Sequence, residues 1–196
     1  MSTWKPVLIV LAIGLPLAGL VAGGIVFGVK TFSKKSVPTK QEKAATVGST
    51  LSTGDAYLML VSVKRGPIQV ERFGEKRTAG DFIQIAIRIF NRSDKRIVEY
   101  RSWNDRFASL RSKQAPSLTD EHGNEYFIPA EDSTYKVAGV KSGESIYPEK
   151  VVDDLLICSA PVDAATRFTL RLPRANLSTE SGYLEFQFDR AAIDVP

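Results

Sequence analysis

The sequence predicts an all-β fold, two packed antiparallel sheets preceded by one apolar helix, and three observations carry that prediction. An uncharged apolar stretch lies near the amino terminus. The remainder shows short runs in which apolar and polar residues alternate. No long amphipathic helical pattern competes with those runs.

The apolar stretch runs from Pro6 to Val29, 24 residues without a charge, bracketed by Lys5 and Lys30. As a helix it would be about 36 Å long, enough to cross a hydrocarbon core of about 30 Å with some tilt. Trp4 and Phe32 fall where interfacial aromatics belong. Pro16 is tolerated in mid-span because lipid-embedded helices accommodate a kink. A cleaved signal peptide would carry an apolar core of about 7 to 15 residues and a small-x-small site. This run is longer and offers only Val21-Ala22-Gly23, so residues 1–30 read as an uncleaved transmembrane anchor. Its partner is the lipid bilayer, met by Pro6 to Val29 and the flanking lysines. Gly19-x-x-x-Gly23 and Gly24-x-x-x-Gly28 permit a homodimer through the transmembrane helix, since small residues let two backbones approach closely.

Residues 31–54 are rich in Lys, Ser, Thr and Gly, contain Pro38 and lack apolar periodicity. They read as a flexible basic linker with a reach of about 27 Å. Charge is skewed toward this end. Residues 1–50 hold six lysines against Glu42 alone, whereas residues 51–196 carry 20 basic and 21 acidic groups. The overall charge of +4 therefore belongs to the membrane flank, where lysines meet anionic head groups, and a nucleic-acid partner loses its main support.

From Asp55 the alternation begins. In Phe82 to Ile89, Ile83, Ile85, Ile87 and Ile89 share one face and Gln84 and Arg88 the other, the mark of a half-buried strand. It stops at the turn cluster Asn91-Arg92-Ser93-Asp94, and Ile97 to Tyr100 resumes in extended form. Phe168 to Leu172 and Leu184 to Phe188 alternate likewise, joined by Pro173 to Gly182. Further strands are expected at Tyr57 to Val63, Ile68 to Phe73, Ser117 to Thr119, Tyr126 to Ile128 and Leu155 to Ser159. Residues 55–190 thus form the β domain and 191–196 a C-terminal tail.

The order Ile85-x-Ile87-x-Ile89-x-Asn91-x-Ser93-Asp94-Lys95, then Trp103, then Leu118-Thr119-Asp120-x-x-Gly123-Asn124-x-Tyr126, then Pro148, Leu156 and Leu170-x-Leu172-Pro173 resembles the immunoglobulin-like domains of unknown function on bacterial membrane-anchored proteins and lipoproteins. The resemblance covers about residues 55 to 190. It implies an immunoglobulin-like antiparallel β-sandwich and an extracytoplasmic location, and it brings no catalytic residues. The chain lacks the lipobox cysteine after the span that many such proteins use.

The chemistry-bearing residues are few. Cys158 is the only cysteine and lies in the apolar run Leu155 to Cys158, which excludes an intramolecular disulfide and reads as a buried structural thiol. His122 is the only histidine. Asp120, Asn124 and Glu125 around it could be read as a cation site, but the spacing fails the calcium-loop pattern and a hairpin turn with Gly123 at positive φ accounts for the segment. Ser133-Thr134-Tyr135-Lys136 matches a serine–lysine pair without the companion elements of that chemistry. Asp153 and Asp154 are adjacent in a strand, point to opposite faces, and read as solvated charge at a strand start. Trp103 reads as a core anchor, while Tyr100, Tyr126, Tyr135 and Tyr147 are candidates for an exposed aromatic platform. No catalytic, cofactor-binding or metal-binding residues are assigned, and no cofactor is expected. The function implied is a membrane-tethered, non-enzymatic interaction or scaffold domain for an unknown protein or envelope partner. A membrane-proximal hydrolase or transferase using carboxylates is the alternative, to be favoured by two convergent acids in a deep pocket.

Overall fold

The chain was analysed as a computed structural model that describes residues 45–105, 114–127 and 136–195. The anchor at 1–30, the first part of the linker, Ser133, Thr134 and Tyr135 lie outside the described residues. Among the described residues no helix is long and apolar enough to cross a membrane.

The protein is mostly β, built from antiparallel sheets, as the alternation predicts. The largest sheet is organised around β3 (Glu75–Asn91), which pairs on one side with β2 (Ala56–Arg72) and on the other with β8 (Val151–Ser159). β1 (Thr50–Thr53) extends the sheet beyond β2, and β6 (Lys136–Val137) and β11 (Ile193–Asp194) add short pairings to β2. A second sheet has the order β10 (Tyr183–Asp189), β9 (Arg167–Pro173), β5 (Ser117–Asp120). A two-stranded sheet joins β4 (Val98–Tyr100) to β7 (Glu144–Ile146).

One hydrophobic cluster is shared by the three sheets. Ile83, Ile85, Ile87 and Ile89 are fully buried on β3, and Leu170, Leu172, Leu184 and Phe186 from the second sheet belong to the same cluster. The period-2 pattern holds because a strand with one face against a core must place every second residue there. Trp103 is 2% exposed, lies 5.1 Å from the Tyr100 ring and donates its indole N–H to the Pro173 carbonyl at 3.1 Å. It is a core anchor, with its polar atom satisfied.

β2 is one strand where the sequence suggests two, at Tyr57 to Val63 and at Ile68 to Phe73. Within the first, the pairing slips between Leu60 and Ser62, so that Leu58 and Leu60 are buried, Val61 is exposed and Val63 buried. An extra residue in one strand is a β-bulge. The gap between the two expected strands coincides with a second slip, between Gly66 and Ile68, where Gly66 and Pro67 interrupt the apolar pattern opposite Gly80 at φ 49°. A Cβ at Gly80 would sit 2.4 Å from the Phe82 ring, so a side chain is excluded there on two grounds. Beyond this slip β2 and β3 leave the sheet as a ribbon.

Three boundaries differ from expectation. The linker does not extend to residue 54: Ala45 donates its N–H to Glu185 O at 3.1 Å, the Gly48 N–H bonds Leu60 O at 2.7 Å, and Thr50 to Thr53 pair with Met59 to Ala56. Ala45, Val47 and Leu51 pack on the core, apolar contacts hidden by the polar composition around them. The C-terminal tail likewise joins the fold, as Ile193 is 8% exposed and pairs in parallel with Val63. Glu125 and Phe127 make isolated bridges and Tyr126 makes backbone hydrogen bonds to Leu118 and Ser159, rather than a strand.

The corrected amino-terminal boundary can be measured. A fragment beginning at residue 45 should fold with a β-rich circular dichroism spectrum. One beginning at residue 55 should be less stable in urea by about 2 kcal/mol or more, since it loses the β1 ladder and the burial of Leu51. Equal stability of the two would return residues 45–54 to the linker.

Candidate functional site

The carboxylates that could have carried acid–base chemistry serve turns and strand ends. Asp120 closes the Asp120 to Asn124 turn: its Oδ1 accepts the N–H groups of His122 and Asn124, both at 2.9 Å. Its Oδ2 accepts the Asn124 side-chain amide at 2.8 Å and the Tyr126 hydroxyl at 2.7 Å. Burial raises the Asp120 pKa, but these four donors outweigh it and hold the group well below the usual aspartate value. Gly123 has φ 84°, so the segment is the expected turn, and Asp120 organises it. Glu121 reaches across to β9, accepting the Thr166 hydroxyl at 2.6 Å, the Thr166 N–H at 2.8 Å and the Arg167 N–H at 3.0 Å. The Thr166 hydroxyl, followed by the Arg167 N–H, lowers its pKa from 4.5 to about 2.

Asp153 and Asp154 do point to opposite faces, but the reading of both as solvated is corrected. Asp153 forms an exposed bidentate pair with Arg88 at 2.7 and 3.0 Å. Asp154 is 3% exposed, because its face of β8 is the one turned to the core, and its burial is tolerated through donors placed around it. It accepts the Tyr100 hydroxyl and, at 2.7 Å each, the N–H groups of Lys141 and Leu155. Burial, then the Asp154 charge, pushes the Tyr100 pKa well up, so this hydroxyl stays a donor. Cys158 is fully buried on the same strand.

Tyr100 and Tyr126 are buried, so they join Trp103 in the core instead of forming a platform, whereas Tyr147 is exposed. Asp120 and Asp154 are each engaged by hydrogen-bond donors in their own surroundings. Lys136 lies in β6, with Ser133 outside the described residues.

Two other surface features stand out, neither assigned from the sequence. The first is an open groove of about 560 Å³ between β4, the β1–β2 turn and the single helical turn Arg174–Asn176. Ile97, Val98 and Glu99 line it in succession. Consecutive residues of an extended segment face opposite ways, so a cavity that meets all three lies along the edge and touches backbone. Among the described residues β4 pairs only with β7, leaving its groove edge open. Two buried asparagines position this wall. Asn91 donates to Arg96 O at 2.7 Å and to Ile146 O at 2.8 Å, and Asn176 donates to Arg101 O at 2.9 Å. Arg96 pairs with Asp55 at 2.8 Å, while Arg101 makes no ion pair among the described residues. The second is the tip of the β2–β3 ribbon. Phe73 has φ 51° followed by Gly74 at φ 83°, and it is 84% exposed. A left-handed conformation for a bulky residue costs on the order of 1 kcal/mol, and the ring buries little in return.

No known protein family matches this sequence, and no curated protein matches it. Among solved structures, the yjhA protein from Bacillus subtilis is similar at 13% identity and a TM-score of 0.46, over 78% of this chain and 99% of that one. The lipoprotein-like ycdA protein from Bacillus subtilis subsp. subtilis strain 168 is similar at 15% identity and a TM-score of 0.44, over 71% of this chain. The chain spans 38% of the length of that ycdA structure.

Two substitutions check the polar framework. Tyr100→Phe should lower stability by about 2 kcal/mol in urea titration, since it strips a donor from a buried carboxylate. For Glu121, the lowered folded-state pKa means its stabilisation is full above 4.5 and is lost as pH falls toward about 2. The stability difference between wild type and Glu121→Gln should therefore be largest near neutrality and shrink through that acid window; a difference independent of pH would contradict the assigned bonds.

Proposed function

We propose that this chain is a membrane-tethered interaction domain of the cell envelope, an immunoglobulin-like sandwich held by its N-terminal apolar segment and presenting the β4 groove to a protein partner. The observation that carries this reading is the open groove beside the edge of β4 that no strand among the described residues pairs. Such an edge offers backbone hydrogen bonds to an added strand, and the flanking Ile97 and Arg101 offer apolar and charged contacts that select it. A non-enzymatic role is supported by how the acids are used. Asp120, Glu121 and Asp154 are engaged by hydrogen-bond donors in turns and core, and Asp55 at the groove is paired with Arg96. The sandwich subtype is supported by two antiparallel sheets sharing one hydrophobic cluster. For topology, an extracytoplasmic domain is preferred over the inside placement that the lysines after the span favour, because long domains cross largely regardless of flanking charge.

Placing a photo-crosslinking amino acid at Ile97 in the full chain, in its native membrane, should give one discrete adduct that Arg101→Glu abolishes. The same probe at the exposed Val162 should not give it. An identical adduct from both positions, or one indifferent to Arg101, would remove the groove from the proposal. Protease added to intact spheroplasts should digest the domain; full protection would place it inside.

A further inference from the structure

We propose that the tip of the β2–β3 ribbon is a second membrane contact, in which Phe73 enters the lipid–water interface while Arg72, Lys76 and Arg77 meet anionic head groups. This rests on the reading of the chain as membrane-tethered.

The ribbon is set apart from the body of the sheet. β8 accompanies β3 only from Phe82 to Phe90, and beyond the slip at Gly80 the described pairings are those between β2 and β3 and the brief one with β6. Of the twelve residues from Ile68 to Ala79, only Ile68 is buried. At the apex, Arg72 to Glu75 turns through two positive φ values, a geometry that suits Asn, Asp or Gly. Phe73 occupies the first of them, and among the described residues its face meets the Arg72 guanidinium, 5.4 Å from the ring centroid. An aromatic side chain held in a strained and exposed position has its compensation outside the fold. A bilayer interface supplies it, since aromatic rings partition to head-group depth.

The charges agree with a lipid surface. The acids of the tip already have basic neighbours: Glu75 pairs with Arg77 at 2.6 Å, and Glu71 lies across the ladders from Lys76 and Lys136. Arg72, Lys76, Arg77 and Lys136 outnumber Glu71 and Glu75, leaving a positive tip around an apolar point. One ring and a few cations would hold a free protein weakly, but a tethered domain meets the surface at high effective concentration, so a weak contact suffices.

The test uses the full chain reconstituted in vesicles of phosphatidylcholine and phosphatidylglycerol with brominated acyl chains, which quench indole fluorescence on contact. The wild-type chain has Trp4 at the apolar segment and Trp103 in the core, so its quenching reports the anchor. In Phe73→Trp the added indole should show blue-shifted emission and a further loss of intensity beyond wild type. Both should disappear when Arg72, Lys76 and Arg77 are changed to Glu, and weaken in vesicles of phosphatidylcholine alone. An added indole that emits as in water, with wild-type quenching intact, would overturn the membrane contact and turn attention to a protein partner for the tip. Absence of quenching in the wild-type chain would instead remove the tethered reading, and the proposal with it.

Discussion

Everything in this fold depends on the seating of β3 between β2 and β8. Its four isoleucines fill one side of the core, and a one-residue slip of register would turn all of them to solvent. That constraint fixes where the strand ends, at Asn91, and Asn91 in turn holds the start of β4 and the end of β7 through its side-chain amide. The groove wall is therefore positioned by the end of the same strand that organises the core. At its other end β3 runs past its last β8 partner and becomes one side of the exposed ribbon. The two candidate contact surfaces are thus the two ends of one strand pair.

Buried polar groups set the shape between those ends. Asp154 and Tyr100 join β8 to β4, Asp120 and Tyr126 close the turn after β5, and Asn176 ties the helical turn to the segment after β4. Each lies in a low-dielectric setting where an unmet donor or acceptor would be strongly unfavourable, so each defines a single arrangement of its neighbours. Asp120 and Glu121 act as fasteners of this kind, and the donors they accept hold both below the usual carboxylate range.

The ribbon buries little apolar surface and is joined to the body at a glycine-containing slip, so its strands depend on each other and on β6. Two-stranded ribbons of this kind are marginal alone, and contact with a surface would order them further. The groove, by contrast, is walled by elements whose backbones are tied to the core. A partner there would meet a pre-formed edge, with little ordering left to do on the domain's side.

The sequence by itself determined the β class, the central isoleucine strand, the turn at Gly123, the core roles of Trp103 and Cys158, and the near-neutral charge of the domain. All of these follow from local rules: side-chain alternation, turn chemistry and residue burial tendencies act within a few residues. What only the tertiary structure decided depends on residues distant in the chain. The slip between Gly66 and Ile68 disguised β2 as two strands, because Gly66 and Pro67 read as a break while the pairing with β3 continues beyond them. The polar composition of residues 45–54 concealed a strand whose partner is the start of β2. Alternation turns Asp153 and Asp154 to opposite faces, but only the pairing of β8 decides that the Asp154 face is the buried one, beside Tyr100, while Asp153 meets Arg88 at the surface. The groove and the ribbon tip were illegible for the same reason: a cavity beside a strand edge and the exposure of Phe73 exist only once the strands have found their register and left those parts uncovered.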